Sequence, residues 1–210
     1  METRTVNLYR FKELNERVQQ KIVNDNINMF DDDFNLFVAD LKDIWIDILE
    51  KAGFYVEGEK IKYSGFHTQG DGLSFTCDSI NTAAVLAYAD KHGYEKEVHF
   101  LRTVPHFDDV LATVAFYIVR TVNCYVHPYS VAVREKTDET LYVTQQIRYV
   151  ADKLYGLIEQ VRIDLCNRFY NELEQEWDKL HASDYIKLWL LNDDNNLYFK
   201  DGRRWVESEA

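Results

Sequence analysis

The sequence predicts an α+β fold, in which N-terminal helices and a long C-terminal helical segment pack on an antiparallel sheet of about four strands. Apolar residues recur at three- and four-residue steps near both ends of the chain, which is typical of amphipathic helices. Between them lie two β-rich pairs of segments, typical of hairpins. The chain has 210 residues, 46% of them hydrophobic, and no linker-like stretch, so we expect one compact domain over residues 1–210.

The N-terminal part is predicted to form two helices. The first covers Tyr9 to Asp25 and the second covers about Asp31 to Ala52, each with an apolar stripe at helical spacing. Gly53 follows the second helix, where glycine readily adopts the left-handed conformation that ends helices. The extended pattern that begins after Gly53 therefore marks the start of the strands.

A first hairpin is predicted from Ile61 to Cys77. Its strands are Ile61 to Phe66 and Leu73 to Cys77, and the turn between them is Gln69-Gly70-Asp71-Gly72. Two glycines in the turn permit positive φ and allow a ligand to approach the backbone N–H groups closely. The alternative is that Asp-Gly is simply a good hairpin turn, with Asp71 bonded to its own backbone.

The middle of the chain is predicted to hold two short helices and a second hairpin. The helices cover Asn81 to His92, followed by Gly93 as a cap, and about Lys96 to Arg102. The strands of the second hairpin are Leu111 to Thr121 and Tyr125 to Arg134. We expect this hairpin to lie beside the first one in a single sheet.

The C-terminal part gives the strongest helical pattern. Apolar residues continue from Leu141 to Leu180 almost without interruption, as one helix or two, and Gly156 is expected at a bend or a close packing point. Ser183 or Asp184 is expected to cap a last short helix. Leu197 to Phe199 is expected to form a short strand. The apolar stripe is Ile147, Val150, Leu154, Leu157, Val161, Leu165, Phe169, Leu173, Trp177 and Leu180.

The charge of the chain limits its partners. Thirty-six acidic against 24 basic side chains give a net charge of -12, which opposes direct binding of nucleic acid and favours a protein partner with a basic surface. The alternative is that the carboxylates only keep the protein soluble. No apolar run could cross a membrane, and Cys77, Cys124 and Cys166 stand at motif-free spacing, so we expect a reducing cytoplasm.

A ligand-binding pocket is predicted where the two hairpins meet. Alternate residues of a strand share a face, so side chains of the second hairpin are expected to face the turn of the first across a cleft that suits an anion or a nucleotide base. The alternative is that they only pack and hydrogen-bond. The predicted ligand-binding residues are His67, Gln69, Gly70, Asp71, Gly72, Arg120, Tyr125, His127 and Tyr129.

Catalysis and metal binding are weakly signalled. His67, Asp71 and His127 offer nitrogen and oxygen ligands, but no pair has the spacing of a known metal motif. No motif marks an activated nucleophile or a phosphate-binding loop. We therefore predict no catalytic residue, no metal and no cofactor.

The stretch Ser64 to Phe75, with its motifs Ser-Gly-Phe and Gln-Gly-Asp-Gly, and several other segments resemble a family of small proteins of tailed bacteriophages, loosely labelled antitoxins of a toxin-antitoxin stability system. The similarity implies phage origin and expression in the bacterial cytoplasm, and it implies no mechanism. At His67-Thr68 the sequence departs from the pattern of that family. The similar segments are Tyr9 to Leu14, Ser64 to Phe75, Arg120 to Tyr125 with His127 and Tyr129, Cys166 to Trp177, and Phe199 to Arg204.

Three functions are compatible with these observations. The first expectation is an acidic phage protein that binds and inhibits a bacterial host or defence component, as an anti-CRISPR protein or a nucleic-acid mimic would. The second is a binding protein or enzyme for a small molecule such as a nucleotide, which uses the predicted pocket. The third is an antitoxin, and the oligomeric state is left open, with a homo-oligomer among the possibilities.

Overall fold

The structure, a computed structural model, confirms the α+β class. It describes residues 6–104, 107 and 138–206, and for residues 138–148 it describes the backbone alone. The helices within these ranges are α1 (Glu16–Asp25), α2 (Asp31–Lys51), α3 (Thr82–Ala89), α4 (Glu95–Thr103), α5 (Asp138–Leu180) and α6 (Ser183–Asn192). The strands are β1 (Tyr9–Arg10), β2 (Phe54–Tyr55), β3 (Ile61–Ser64), β4 (Gly72–Phe75), β5 (Ser79–Ile80) and β6 (Leu197–Tyr198).

The strands form antiparallel pairs. In the described ranges β1 pairs with β6, β2 with β5, and β3 with β4. The β3–β4 pair is the predicted first hairpin, with Ile61 opposite Phe75 and Ser64 opposite Gly72. The second predicted hairpin, residues 111–134, lies outside the described residues, so a sheet that joins both hairpins stays a prediction.

Contacts within the chain divide it into two compact units. The terminal unit consists of Met1–Val38 and Leu173–Ala210, and the central unit consists of Ala39–Glu172. Both points of division fall inside helices, α2 and α5. The expectation of one domain over residues 1–210 stays a prediction.

The terminal unit begins with a strand where the sequence predicted a helix. Tyr9 pairs with Tyr198 and Arg10 with Leu197, and a turn of 3-10 helix follows over Phe11–Glu13. Helix α1 starts only at Glu16, because the side chain of Asn15 accepts a hydrogen bond from the amide of Val18, 3.0 Å away, and caps the helix. The prediction that the first helix starts at Tyr9 is therefore wrong.

Helix α6 completes the core of the terminal unit by packing against α1. Ile186 and Leu190 of α6 and Ile22 of α1 are at most 2% exposed. The closing turn is also attached to α1, because a Cβ on Gly202 would lie 3.0 Å from Val18 Cγ1. Ala182 occupies the cap position of α6 without a side-chain hydrogen bond, so the predicted cap by Ser183 or Asp184 is wrong.

The central unit is built around Trp45. Its ring is fully buried and stacks on Phe169 with 4.9 Å between ring centroids. The indole Nε1–H donates to Glu172 Oε2 at 2.8 Å, so the one polar atom of the side chain is satisfied. This pairing joins α2 to α5 within the unit.

Gly53 has the left-handed conformation that the sequence predicts, with a φ of +88°. A Cβ at this position would lie 2.6 Å from the carbonyl oxygen of Asn81 and 2.8 Å from the amide nitrogen of Val85. Asn81 caps α3 by accepting from the amide of Ala84 at 3.1 Å. Glycine is therefore needed both for the turn and for the close approach of α3.

Helix α5 is one continuous helix rather than two. The stripe predicted from the sequence is buried from Val150 onwards, except for half-buried Trp177. Gly156 is exposed, and a Cβ added there would meet no atom within 4 Å, so the alternative of a close packing point is wrong. No helix in the part of the chain that the structure describes is long and apolar enough to cross a membrane.

Candidate functional site

The predicted turn residues lie together in the loop that joins β3 to β4. His67, Gln69 and Gly70 are exposed, and Asp71 and Gly72 are half-buried. The rest of the predicted pocket, Arg120, Tyr125, His127 and Tyr129, lies outside the described residues. The structure therefore describes the tip of the first hairpin and leaves the cleft between the two hairpins a prediction.

Asp71 closes this loop on itself. Its Oδ2 accepts hydrogen bonds from the amide nitrogen of Thr68 at 2.7 Å and from Thr68 Oγ1 at 2.6 Å. In return, the amide of Asp71 donates to the carbonyl oxygen of Thr68 at 3.2 Å. The carboxylate also lies against Gly65, where a Cβ would be 2.9 Å from Asp71 Oδ1. The geometry supports the alternative in which Asp71 is a structural turn residue.

The backbone of the tip takes unusual conformations. His67 has a φ of +66°, which is costly for a residue with a side chain, and Gly70 has a φ of +97°. The hydroxyl of Ser64 accepts from the amide of Gly72 at 3.2 Å and holds the base of the loop. These constraints present His67 and Gln69 at the outer end of the hairpin.

An aromatic contact supports the hairpin from α5. Phe66 stacks on Tyr170 with 5.7 Å between ring centroids, and Tyr63 lies 6.1 Å from Phe66. The hydroxyl of Tyr170 donates to the carbonyl oxygen of Gly65 at 3.1 Å. Sequence reasoning did not single out Tyr170, because its partners are far away along the chain and helical periodicity does not reveal them.

The described thiols are protected from chemistry at neutral pH. Cys77 is 2% exposed and Cys166 is 6% exposed. Loss of hydration on burial raises the pKa of each thiol to about 11. Burial and the raised pKa therefore both oppose nucleophilic attack by either thiol at pH 7. Within the described ranges, no three His, Cys, Asp or Glu side chains gather as they would around a metal ion.

A second candidate site, which sequence reasoning missed, is an open groove along α6 in the terminal unit. Its volume is about 390 Å³. Leu188 is 59% exposed and Trp189 is 40% exposed, although both are large and apolar. We call it the α6 groove, and its lining residues are Tyr185, Leu188, Trp189, Asn192 and Asp193.

The groove exists because α6 is apolar on more than one face. Ile186 and Leu190 face the core, whereas Leu188 and Trp189 remain exposed. Phe30 supports the groove from below, with its ring 5.3 Å from that of Tyr185 and 5.9 Å from that of Trp189. The sequence signal is the run Tyr-Ile-Lys-Leu-Trp-Leu-Leu, which contains more apolar residues than a helix with one buried face requires.

Asp193 gives the lining of the α6 groove a negative charge. Asp193 lines it and accepts hydrogen bonds from the amide of Asn195, at 2.9 Å, and from the side chain of Asn196. The consecutive aspartates 31–33 follow Phe30 directly in the chain, and Asp31 Oδ1 lies 3.0 Å from Nε2 of His181. Asp184 precedes Tyr185 at the start of α6. The groove thus combines an apolar surface with nearby negative charge.

Several other carboxylates form ion pairs with nearby basic side chains. Asp194 pairs with Arg10 at 3.1 Å and with Lys12 at 3.2 Å. The hydrogen bond from Lys12, together with the charge of Arg10, lowers the pKa of Asp194. Glu176 pairs with Lys179 at 2.9 Å. Such pairing weakens the field that these groups present to a partner, whereas Asp32 and Asp33 are exposed.

Comparison with protein families gives a match over most of the chain. Residues 37–184 match a family described as a domain of unknown function, DUF8835. The chain belongs to the DUF8835 family. The range matched by DUF8835 contains the hairpin tip and the whole central unit, and it ends immediately before Tyr185. Comparisons with curated proteins and with solved structures found no match.

Proposed function

We propose that this DUF8835 protein binds and inhibits a bacterial host component or an anti-phage defence component. The observation that carries the proposal is the α6 groove, where Leu188 and Trp189 are exposed beside Asp193. Contiguous exposed apolar surface is a feature of sites that bind other proteins. The net charge of -12 favours a target with a basic surface.

Phage origin and a place in the cytoplasm of the bacterial host belong to the same proposal. They are supported by the resemblance of Ser64 to Phe75, and of the other similar segments, to proteins of tailed phages. The role of an antitoxin rests on the label of those proteins and on no feature of the described residues. We therefore place inhibition of a host or defence component first.

The test is identification of the target followed by reconstitution. The tagged protein is expressed in bacteria that carry defence systems, and bound proteins are cross-linked and identified. One target is then purified, and we expect a complex that weakens as salt is raised from 50 to 500 mM and that lowers the activity of the target. A parallel capture with an equal amount of another acidic protein identifies the partners that bind to negative charge alone, and these are discarded.

The proposal is wrong if no reconstituted complex inhibits its target and if expression changes neither growth nor phage plating on any defence-positive strain. Both measurements are needed, because a protein that binds without inhibiting would still be an interaction protein of another kind.

A second candidate function is binding of a small molecule such as a nucleotide at the hairpin tip. The observation that favours it is the exposed His67 with a φ of +66° next to Gln69 and Gly70, since strained backbone often occurs at ligand sites. Thermal-shift measurements against nucleotides test it, because a ligand that binds the folded state raises the melting temperature. Gln69→Ala is expected to reduce such a shift, and no shift with any nucleotide would refute this candidate.

A further inference from the structure

We infer that the α6 groove binds an amphipathic helix of the target protein whose apolar face is flanked by lysine or arginine. This inference rests on the proposed function and specifies the chemistry of the partner. The argument has three parts: the spacing of the lining residues, the nature of their side chains and the charge around them.

The spacing of the lining residues suits a helix. Tyr185, Leu188, Trp189 and Asn192 stand at positions i, i+3, i+4 and i+7 of α6, so they follow one face of the helix. A strip of this kind is complementary to another helix laid alongside, whose apolar residues have the same spacing. A volume of about 390 Å³ leaves room for more than one large apolar side chain of that partner.

The side chains are of the types that contribute most to protein interfaces. Trp and Tyr are enriched among residues whose truncation weakens binding strongly. Trp189 packs edge-to-face against Phe30 with 87° between their planes, a contact that restrains its ring before a partner arrives. A pre-positioned ring reduces the conformational entropy that binding must overcome.

The charge around the groove selects between possible occupants. The charged residue of the lining is Asp193, and the chain neighbours of the lining residues and of Phe30 include Asp31 and Asp184 as well as Lys187, so negative charge predominates. A second copy of this chain would bring the same aspartates and a net charge of -12 to the contact, which electrostatic repulsion disfavours. A helix with lysine or arginine beside its apolar face would instead gain attraction. The basic amphipathic helix is therefore the occupant that fits.

The test uses defined peptides of about 18 residues, which span about five helical turns. The probe has leucine at i, i+3, i+4 and i+7 with lysine elsewhere. The first control peptide has glutamate in place of lysine, and the second has the composition of the probe in scrambled order. We expect calorimetry to show that the probe binds at least tenfold more tightly than either control, and circular dichroism to show that it becomes helical on binding.

Two matched variants locate the contact. Leu188→Ser changes the groove, whereas Leu36→Ser changes a leucine of the terminal unit that is 67% exposed, slightly more than Leu188, and does not line it. We expect Leu188→Ser to weaken binding of the probe about tenfold, which corresponds to about 1.4 kcal/mol, and Leu36→Ser to leave it unchanged. Thermal unfolding of both variants checks that neither effect comes from loss of structure.

Several results would overturn the inference. These are equal binding of the lysine and glutamate peptides, equal weakening by both variants, or binding without gain of helix. A dimer of the chain that sedimentation detects and that Leu188→Ser dissolves would assign the groove to a second copy instead. If a reconstituted target binds Leu188→Ser as well as the wild type, the inference fails and the proposed function stands. If the probe behaves as expected but no target is inhibited and expression changes neither growth nor phage plating, the proposed function fails and the groove chemistry stands.

Discussion

The carboxylate of Asp71 and the backbone of Gly65 are in direct contact across the tip of the first hairpin. A Cβ on Gly65 would lie 2.9 Å from Asp71 Oδ1, and the carboxylate is held in place by two hydrogen bonds from Thr68. The absence of a side chain at Gly65 therefore leaves room for the group that closes the loop. This relationship makes the energetic effects of the two residues interdependent.

Substitutions at these two positions are predicted to be non-additive. Asp71→Ala removes both accepted hydrogen bonds and is expected to lower the free energy of unfolding by about 1–2 kcal/mol, whereas Asp71→Asn retains an acceptor and costs less. Gly65→Ala displaces the carboxylate, so its cost should largely vanish when Asp71 is already alanine. Urea unfolding of the four proteins in the cycle measures this, and equal costs of Gly65→Ala in both backgrounds would contradict it.

Gly53 and Gly93 offer a matched pair for separating backbone strain from steric overlap. Both have positive φ, +88° and +95°, but a Cβ on Gly93 would meet nothing within 4 Å. Gly93→Ala is therefore expected to cost about 1 kcal/mol from strain alone. Gly53→Ala should cost several kcal/mol, because its Cβ would overlap the backbone at Asn81 and Val85.

Denaturant midpoints of the two alanine variants test this order. Because the conformational strain is similar at both positions, the difference between the variants measures the overlap with α3. Equal losses of stability would show that α3 does not approach Gly53 as closely as the structure indicates.

The hydrogen bond from the indole nitrogen of Trp45 to the carboxylate of Glu172 is predicted to stabilise the folded protein. Trp45→Phe keeps an aromatic ring against Phe169 but removes the donor to Glu172 Oε2, so we expect a loss of about 2–3 kcal/mol. Glu172→Gln keeps an acceptor and should cost less. The double variant Trp45→Phe with Glu172→Leu should lose less than the sum of its single variants, and strict additivity would argue against the bond.

Alkaline pH is predicted to destabilise the protein through its buried thiols. Cys77 and Cys166 have a folded-state pKa of about 11, raised from about 9 by desolvation, so thiolate forms more readily in the unfolded chain. Their contribution to stability is therefore intact below pH 9 and is lost as the pH rises from 9 to 11. Each shift corresponds to roughly 2–3 kcal/mol at most.

Urea unfolding at several pH values measures this effect. The double variant Cys77→Ala with Cys166→Ala should be less stable at pH 7 but lose less stability between pH 9 and 11 than the wild type. In a Cys124→Ser background, the two remaining thiols should react slowly with a thiol reagent at pH 8 and rapidly in urea. Fast reaction of the folded protein would contradict their burial.

Local patterns in the sequence predicted the elements that depend on neighbouring residues. The period of α5 places its apolar stripe correctly from Val150 onwards, because a helix repeats every 3.6 residues whatever it packs against. The β3–β4 hairpin and the left-handed Gly53 and Gly93 follow from turn chemistry in the same way. The α+β class is the sum of such local signals, and it is confirmed.

Features that depend on residues far away in the chain were decided only by the tertiary structure. Tyr9 and Arg10 form a strand because Leu197 and Tyr198 pair with them, although their local pattern favoured a helix. The exposure of Leu188 and Trp189 depends equally on which surfaces the rest of the chain covers. Periodicity shows which residues share a face of a helix, but burial is a property of the whole fold, and a sequence pattern cannot tell which apolar face remains uncovered.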